Sequence, residues 1–495
     1  MFRRTFTSTF AIALCGGTAF AQDLPQGGSE YFTAAQQVLG ERLNAEPNTG
    51  TARNVILFVA DGMGIGTNYG IRLYMGQQEG LLGEEYNLPY DLFQNSAIMK
   101  TYNINAQTPD SAPTAGAMNT GVKQIFNTIN MSEDVVHEDC SSGTPLTTFA
   151  ELASEAGKSV GVVSTARITH ATPAAVFAKT QSRDWEGEAP EGCTDIATQM
   201  IDAMESGMLD FAMGGGASNF APEGVDVGGG LTGSRPDDVD LVARAKDLGV
   251  AFAHDRETAE GLDLAAEGPV LGLFAGSHMA YAADRPEQEP TLAEMTQMAI
   301  EKLSSNEEGF YLEVEAGRVD HGSHDGNAHR TFTDGVAFAE AIQATMEATN
   351  PEETLIIVTS DHDHAMVFNG YCGRGTPITG LCYDVSTDRI KHSDELVLAD
   401  DGSPFTVVGF GNGPGSILTE QEDGTYSGSR AELTQDEATN PDHLQQALIP
   451  ASSESHSGVD VGLWATGPWA HLFGGTMDQE VIFHVMRQAM FPSAE

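Results

Sequence analysis

Carboxylate and imidazole side chains follow several apolar stretches of this 495-residue sequence. Asp61 comes directly after the run 54–60, and Asp361 and His362 come shortly after the run 354–359. Carboxylate and neutral imidazole are both zinc ligands, and adjacent residues at a strand end can converge on one ion where the backbone turns. An aspartate before glycine is by itself a common turn residue, so the metal hypothesis rests on the combination.

A third cluster follows the apolar run 309–314 and contains Asp320 and His324. If this segment is helical, the spacing of four residues places both side chains on one face, where they can hold one ion. His456 is the candidate for a third ligand, although a single histidine is more often an exposed loop residue.

Ser111, in Asp110-Ser111-Ala112-Pro113, is the candidate nucleophile. Proline fits the first turn of a helix, so the pattern predicts a helix that begins at Ser111. The free amides of a first turn favour an anion, while the serine oxygen is placed to meet a metal ion. Taken alone, the same pattern would indicate an ordinary serine cap.

The elements that position these residues are predicted from hydrophobic periodicity. Continuous apolar runs predict strands that are buried on both faces, at 54–60, 160–164, 270–274, 309–314 and 354–359. Amphipathic patterns predict helices at 29–42, 292–303, 330–348 and 480–491. The alternation predicts an α/β fold with a mostly parallel central sheet flanked by helices, in which ligands bind beyond the carboxyl ends of the strands. The glycine runs 214–216 and 228–230 lack the lysine of a P-loop and predict turns.

The charge is strongly acidic, with 24 Lys and Arg against 71 Asp and Glu and a formal net charge of −47. This excludes nucleic acid as a partner. The chain is 40% hydrophobic and only 19% charged, which indicates a folded protein rather than a disordered acidic one. Self-repulsion of this size fades at high salt, where the Debye length is about 3 Å at 1 M, so we expect salt tolerance. The alternative is a very soluble secreted protein.

Residues 1–21 have the layout of a cleaved secretory signal, with two early arginines, a short apolar stretch and Ala19-Phe20-Ala21 before Gln22. The mature protein is therefore expected to span 22–495, to be periplasmic or secreted, and to have no membrane association after cleavage. Lipidation at Cys15 is the alternative.

Four further cysteines point to disulfides in an oxidising compartment. Cys372 and Cys382 are close in a glycine-rich segment and are expected to form one bridge. Cys140 and Cys193 would then pair by elimination, with reduced cysteines left as an alternative. The composition changes to Gly, Pro, Asp and Ser over about 369–450, which predicts an inserted subdomain.

Together these motifs resemble the alkaline phosphatase family over nearly the whole mature chain. The resemblance implies that Ser111 forms a covalent phosphoserine, that each subunit holds two zinc ions and one magnesium ion, and that the insertion is a crown-like subdomain of a homodimer. It assigns the first zinc to Asp320, His324 and His456, the second to Asp61, Asp361 and His362, the magnesium to Asp61, Thr172 and Glu315, and phosphate binding to Arg183.

Two positions differ from the best-known bacterial pattern and are like those of animal enzymes. His170 stands where an aspartate is common and His321 where a lysine is common; with Asp110 they are secondary site candidates. Imidazole in place of carboxylate leads us to expect that the third site can take zinc instead of magnesium. Ala275 stands where the animal enzymes supply a calcium-binding glutamate, so no calcium site is expected.

The function that the resemblance implies is hydrolysis of small phosphate monoesters to alcohol and phosphate, with a broad substrate range and an alkaline pH optimum. A phosphodiesterase or sulfatase of the same superfamily is the first alternative. Thr172, Glu315 and Arg183 favour the monoesterase, because this magnesium and phosphate set fits a monoester dianion. A binder without catalysis is disfavoured by the complete set of ligands and nucleophile.

Overall fold

The computed structural model describes residues 24–492, so the predicted signal segment 1–21 and Cys15 lie outside the described residues. Among the described residues, those up to Pro47 and those from Asn48 onward form two compact units. The first contains α1 (Glu30–Asn44), close to the predicted helix 29–42.

The strands all belong to the second unit, and the first of them begins at Asn54. In chain order the described strands are β1 (Asn54–Ala60), β2 (Asn95–Lys100), β3 (Ser159–Arg167), β4 (Phe211–Gly215), β5 (Asp226–Gly228), β6 (Leu231–Thr232), β7 (Ala251–Ala253), β8 (Val270–Leu273), β9 (Phe310–Ala316), β10 (Thr354–Thr359), β11 (Asp363–His364), β12 (Met366–Phe368), β13 (Val408–Gly413), β14 (Thr419–Glu420), β15 (Tyr426–Ser427), β16 (Ala447–Pro450), β17 (His456–Ser457), β18 (Val461–Thr466) and β19 (Thr476–Asp478).

The helices alternate with the strands. They are α2 (Ile65–Gln78), α3 (Ser111–Thr120), α4 (Phe149–Glu155), α5 (Ala171–Ala174), α6 (Ile196–Glu205), α7 (Leu241–Asp247), α8 (Arg256–Glu260), α9 (Leu292–Leu303), α10 (Arg318–His324), α11 (Ala328–Ala348), α12 (Gln435–Ala438) and α13 (Val481–Met490), with short 3₁₀ turns at Pro89–Leu92, Ala217–Asn219, Ala282–Asp284 and Ala470–Leu472. The periodicity therefore predicted α9 to the residue, and α11 and α13 to within two.

The main sheet has ten strands in the order β19-β2-β18-β10-β1-β9-β3-β4-β8-β7. All neighbours from β10 to β7 are parallel, whereas β18 runs antiparallel to both β10 and β2. The prediction of a mostly parallel sheet flanked by helices is confirmed.

Strand β1 shows why these runs are continuously apolar. Val55, Leu57 and Val59 belong to the hydrophobic core on one face of the sheet, while Ile56 and Phe58 belong to the core on the other. Because alternate side chains of a strand point to opposite faces, a strand covered on both sides must be apolar at every position. Each such buried side chain contributes about 1.5–3 kcal/mol of hydrophobic free energy, so both layers hold β1 at the centre.

The prediction of a turn for the glycine run 214–216 is only partly correct. Gly214 and Gly215 are the last residues of β4, and only Gly216 has the left-handed backbone of a turn, with φ 95°. A Cβ on Gly215 would lie 2.2 Å from the carbonyl oxygen of Ser277, so the strand end is glycine because another segment passes against it.

The region 369–450 contains several short strands and one short helix. β13 pairs with β12 and β16, and β14 pairs with β15, while long loops connect them. A Cys372–Cys382 disulfide lies in this region, as predicted. A Cys140–Cys193 disulfide, also predicted, joins the segment between α3 and α4 to the segment between α5 and α6. The assignment of 369–450 as a crown-like subdomain stays a prediction.

Candidate active site

The carboxyl ends of the three central strands meet at one edge of the sheet. In the register, Val59 of β1 lies between Glu315 of β9 and Thr359 of β10. Asp61 follows β1 by one residue and Asp361 follows β10 by two, so the parallel topology brings these carboxylates and Glu315 together.

Gly62 explains why the Asp61 turn is tight. Its φ is 70°, and a Cβ there would lie 2.4 Å from Cδ2 of His364. A non-glycine residue would be strained at this φ and would also displace the imidazole. The glycine after Asp61 therefore serves the packing of the site.

Ser111 is the first residue of α3, as predicted. Asp110 is its N-cap, and its Oδ1 accepts a hydrogen bond from the main-chain N–H of Ala112 at 2.9 Å. The Ser111 side chain is almost fully buried, and its Oγ lies 3.2 Å from Nε2 of His362 and 3.5 Å from Oδ1 of Asp61. The hydroxyl therefore faces the residues predicted to hold the second zinc.

The residues predicted for the first zinc converge around Asp320. Nε2 of His324 lies 3.4 Å from Oδ2 of Asp320, and Nε2 of His456 lies 3.4 Å from Oδ1. His324 Nδ1 donates to the carbonyl of Glu454 at 2.5 Å, and His456 Nδ1 donates to the carbonyl of Pro109 at 2.9 Å. Because a carbonyl only accepts, both rings carry their proton on Nδ1 and present a lone pair on Nε2, the form that ligates a metal ion.

His364 joins this group, although the sequence analysis did not assign it. Its Nε2 lies 2.6 Å from Oδ1 of Asp320, and its Nδ1 contacts the carboxylate of Glu454. Burial alone would lower the pKa of His364, but the two carboxylates outweigh it and raise that pKa to about 10. With an acceptor at each nitrogen the ring has no lone pair to offer, so His364 bridges two carboxylates and does not ligate.

The residues predicted for the second zinc are fully buried. Nε2 of His362 lies 3.4 Å from Oδ1 of Asp61 and 3.3 Å from Oδ2 of Asp361. The other oxygen of Asp361 accepts from the main-chain N–H groups of Gly62 and of His362, at 3.0 and 2.9 Å. The carboxylate is thereby oriented with Oδ2 towards the gap between the three side chains.

The third group lies on the other side of Asp61. Ligand atoms of Asp61, Glu315 and His170 are within 4.8 Å of one another. Glu315 Oε2 receives a hydrogen bond from the hydroxyl of Ser164, while its Oε1 and the hydroxyl of Thr172 are buried without a hydrogen-bond partner in the part of the chain described here. Polar atoms that are buried and unpaired in this way fit a hard cation held by oxygens.

The electrostatics of the buried carboxylates lead to the same conclusion. Burial, reinforced by Asp320, Asp361 and Glu315, raises the pKa of Asp61 well above its usual value, and burial raises the pKa of Glu315 to about 8. Burying several carboxylates together is unfavourable unless cations compensate them. The donor set therefore fits divalent metal ions at all three positions.

Arg183 lies beside the start of α3, where it binds the N-cap residue Asp110. Its Nη1 donates to Oδ1 of Asp110 at 3.0 Å, and its Nη2 lies 2.7 Å from Nε2 of His170. Burial acts to lower the pKa of Arg183, but the carboxylates of Asp110 and Asp61 outweigh it, so the guanidinium stays charged. The planar group is held by Asp110, one residue before Ser111.

His321 lies in a small group of histidines with His170 and His278. Its ring centroid is 5.6 Å from that of His170 and 4.1 Å from that of His278. Burial lowers the pKa of His321 to about 3 and that of His278 to about 2, so both rings are neutral at working pH. His278 was not singled out from the sequence, since it follows a loop with no local signal.

The comparisons with known proteins agree with this geometry. The sequence profile of the alkaline phosphatase family matches residues 52–491. The chain belongs to the alkaline phosphatase family. The tissue-nonspecific alkaline phosphatase of Rattus norvegicus is 36% identical over 500 residues, which cover 97% of this chain and 91% of that protein, and the Homo sapiens protein is 35% identical with the same coverage.

Solved alkaline phosphatases share the fold. The Thermus thermophilus enzyme superposes with a TM-score of 0.63 at 23% identity, covering 93% of this chain and 95% of that one. The enzyme of the Antarctic bacterium TAB5 gives 0.61 at 22% identity, covering 89% and 98%. The protein is thus a phosphomonoester hydrolase of a metal-dependent family. Between residues 24 and 492 no helix has the length and apolarity needed to cross a bilayer.

Proposed function

We propose that this alkaline phosphatase hydrolyses phosphate monoesters through a covalent phosphoserine on Ser111. The observation that carries the proposal is the position of the Ser111 Oγ, which lies 3.2 Å from Nε2 of His362. The preceding residue, Asp110, binds Arg183 through its carboxylate. This arrangement supports the proposal, because an in-line displacement needs a nucleophile close to the metal ligands and to a cation that can bind the phosphoryl group.

The roles of the side chains follow from their chemistry. Asp320, His324 and His456 would hold one zinc ion, Asp61, Asp361 and His362 a second, and Asp61, Thr172 and Glu315 a magnesium ion. Bound metal ions would lower the pKa of the Ser111 hydroxyl, assist departure of the alcohol and balance the buried carboxylates.

The reaction is then two displacements. The Ser111 hydroxyl loses its proton to water, and its oxygen attacks phosphorus as the bond to the alcohol oxygen breaks. The alcohol takes up a proton from water as it leaves. Water next attacks the phosphoserine, which releases inorganic phosphate and restores the serine. In both steps Arg183 can offer two parallel N–H groups to nonbridging oxygens of the phosphoryl group.

The finer properties are part of the same proposal. We expect a broad substrate range and an alkaline optimum, since the enzyme must keep Ser111 deprotonated while Arg183 stays charged. Salt tolerance is supported by the net charge of −47. Export to the periplasm or medium is supported by the two disulfides. A homodimer with the region 369–450 at its interface is proposed from the family resemblance.

His170 bears on the metal of the third site. It lies within ligand distance of Asp61 and Glu315, so an imidazole adds to an otherwise oxygen-rich group. A variant of the TAB5 enzyme with a histidine replaced by aspartate is described as having magnesium bound in its M3 site. We propose that His170 lets zinc compete with magnesium there.

The experiment is release of phosphate from an aryl phosphomonoester at alkaline pH by the wild type, Ser111→Ala and an exposed-site control, Ser96→Ala. We expect zinc-dependent turnover in the wild type and in Ser96→Ala, and its loss in Ser111→Ala. We also expect that a phosphoserine can be trapped at Ser111 in the wild type. Full turnover by Ser111→Ala would overturn the covalent mechanism. Cleavage of a phosphodiester or sulfate ester in preference to the monoester would favour the alternative superfamily activity.

A further inference from the structure

Glu454 is a buried carboxylate that the sequence analysis did not assign and that contacts the first ligand group from two directions. It lies two residues before His456, and its side chain is almost fully buried. Oε1 accepts from the main-chain N–H of Ala365 at 2.7 Å, and Oε2 contacts Nδ1 of His364. A buried carboxylate engaged at both oxygens has a fixed orientation.

The first set of contacts connects the Glu454 side chain to Asp320 through His364. The imidazole has its Nδ1 on Glu454 and its Nε2 on Asp320, 2.6 Å from Oδ1. The aspartate oxygen that faces His456 is therefore held by a ring, and the ring is held by Glu454. Partners of this kind orient a ligand and tune its basicity without touching the metal ion.

The second set of contacts connects the main chain of Glu454 to His324. The Glu454 carbonyl accepts from His324 Nδ1 at 2.5 Å, and its N–H donates to the His324 carbonyl at 2.8 Å. The first bond sets the ring angle and the tautomer of His324, and the second joins the two main chains. One residue thus orients two members of the first ligand group, by its side chain and by its backbone.

The placement of Glu454 follows from a long-range strand pair. β11 and β17 are antiparallel, with His364 opposite His456, although 91 residues separate the two. Asn412 of β13 adds two hydrogen bonds to the neighbouring Ser455, at 2.9 and 3.0 Å. The segment that returns from the region 369–450 is therefore docked against α10 and β11 by polar contacts centred on Glu454.

We propose that Glu454 is a positioning residue for the first metal site, acting on Asp320 through His364. The inference rests on the proposed function of that site. If Glu454 only stabilised the fold, its effect on zinc release would not depend on His364. Loss of Glu454 would then change the rate of zinc release no more than loss of another buried carboxylate.

The test measures zinc release from the loaded enzyme to a chromogenic chelator, together with zinc content per chain. Glu454→Ala is expected to speed release of one zinc ion by about ten- to a hundredfold, the range for loss of such partners. His364→Ala should have the same effect, and the double variant should release zinc no faster than His364→Ala, because the two residues act in series. Glu289→Ala is the control, since its carboxylate accepts from the main-chain N–H of Ala280 and belongs to none of the three candidate ligand groups.

Glu454→Gln keeps the proposal testable if the alanine variant does not fold. Its amide can accept from Ala365 and donate to His364, which can still donate to Asp320, so zinc release should stay within about threefold of the wild type. Additive effects of Glu454→Ala and His364→Ala, or release unchanged in both, would overturn the proposal. A different result would separate the two proposals. If the wild type does not hydrolyse phosphomonoesters but its zinc release still depends on Glu454, the proposed function is rejected and the positioning role of Glu454 is retained.

Discussion

Arg183 is bound to the carboxylate of Asp110, with 3.0 Å between Nη1 and Oδ1. The same carboxylate caps α3 and accepts the main-chain N–H of Asn127 at 2.7 Å. Arg183, the proposed phosphate-binding cation, and Ser111, the proposed nucleophile at the start of α3, therefore share one anchor. A change at Asp110 should disturb both, and in separable ways.

Asp110→Asn and Asp110→Ala separate the anchor from the cap. Asparagine is as good an N-cap as aspartate, whereas alanine costs about 0.5–2 kcal/mol of unfolding free energy. Both lose the charged partner of Arg183, worth about 1 kcal/mol or somewhat more, so KM and the inhibition constant for phosphate should each rise by about fivefold or more. The measurements are inhibition by inorganic phosphate and chemical unfolding. Equal phosphate inhibition in the wild type and both variants would show that Asp110 does not position Arg183.

His170→Asp should shift the metal preference of the third site towards magnesium. The substitution replaces a nitrogen donor by oxygen beside Asp61 and Glu315, and magnesium prefers oxygen. We expect half-saturation by magnesium at a concentration at least about tenfold lower, with less zinc bound per chain. Activity titrations and metal analysis would measure this, with the exposed His137→Asp as control. Magnesium dependence identical in both variants would count against the role of His170.

The sequence predicted the residues that lie at strand ends or helix starts. Asp61 and Asp361 follow strands with a strong apolar pattern, and their position needs only the rule that parallel strands end at one edge. Ser111 begins a helix whose first turn is marked by Pro113. Five predicted strands and the start of α3 were placed within three residues for the same reason.

Contacts made by short segments far apart in the chain were not predictable. Glu454 and His364 belong to the site only because the two-residue strands β11 and β17 pair, and such strands have no period to detect. The antiparallel strand β18 was missed for a related reason, since its place between β10 and β2 depends on the whole sheet. A carboxylate two residues before a candidate ligand is the one local signal that was available for Glu454.

Asp334, on α11, should make stability fall as the pH rises. Burial raises the pKa of its carboxyl to about 7, against 3.8 for the ordinary value. Between these values the folded protein binds more protons than the unfolded chain, so each rise in pH through this window lowers the free energy of unfolding, up to about 4 kcal/mol in all. Above about pH 7 the loss is complete and constant.

Asp334→Asn should remove this dependence. The amide oxygen can still accept from the main-chain N–H of Ala282, which the carboxylate does at 3.0 Å. The variant should therefore be more stable than the wild type at pH 9 and no more stable at pH 4, measured as thermal unfolding of the metal-loaded protein. Parallel stability curves for the two proteins from pH 4 to 9 would contradict the assignment.

Salt should lower the apparent KM for an anionic phosphomonoester. The formal net charge of −47 repels an anionic substrate at long range, while Arg183 and bound metal ions, in their proposed roles, would attract it only close to the site. Raising NaCl from about 0.05 M to 1 M shortens the Debye length from about 14 Å to about 3 Å, which removes the remote repulsion more than the contact attraction. We expect KM, and the inhibition constant for inorganic phosphate, to fall by about two- to threefold. Steady-state kinetics at constant pH and metal concentration would measure both, and a KM that rises steadily with salt would show that attraction at the site outweighs the acidic surface.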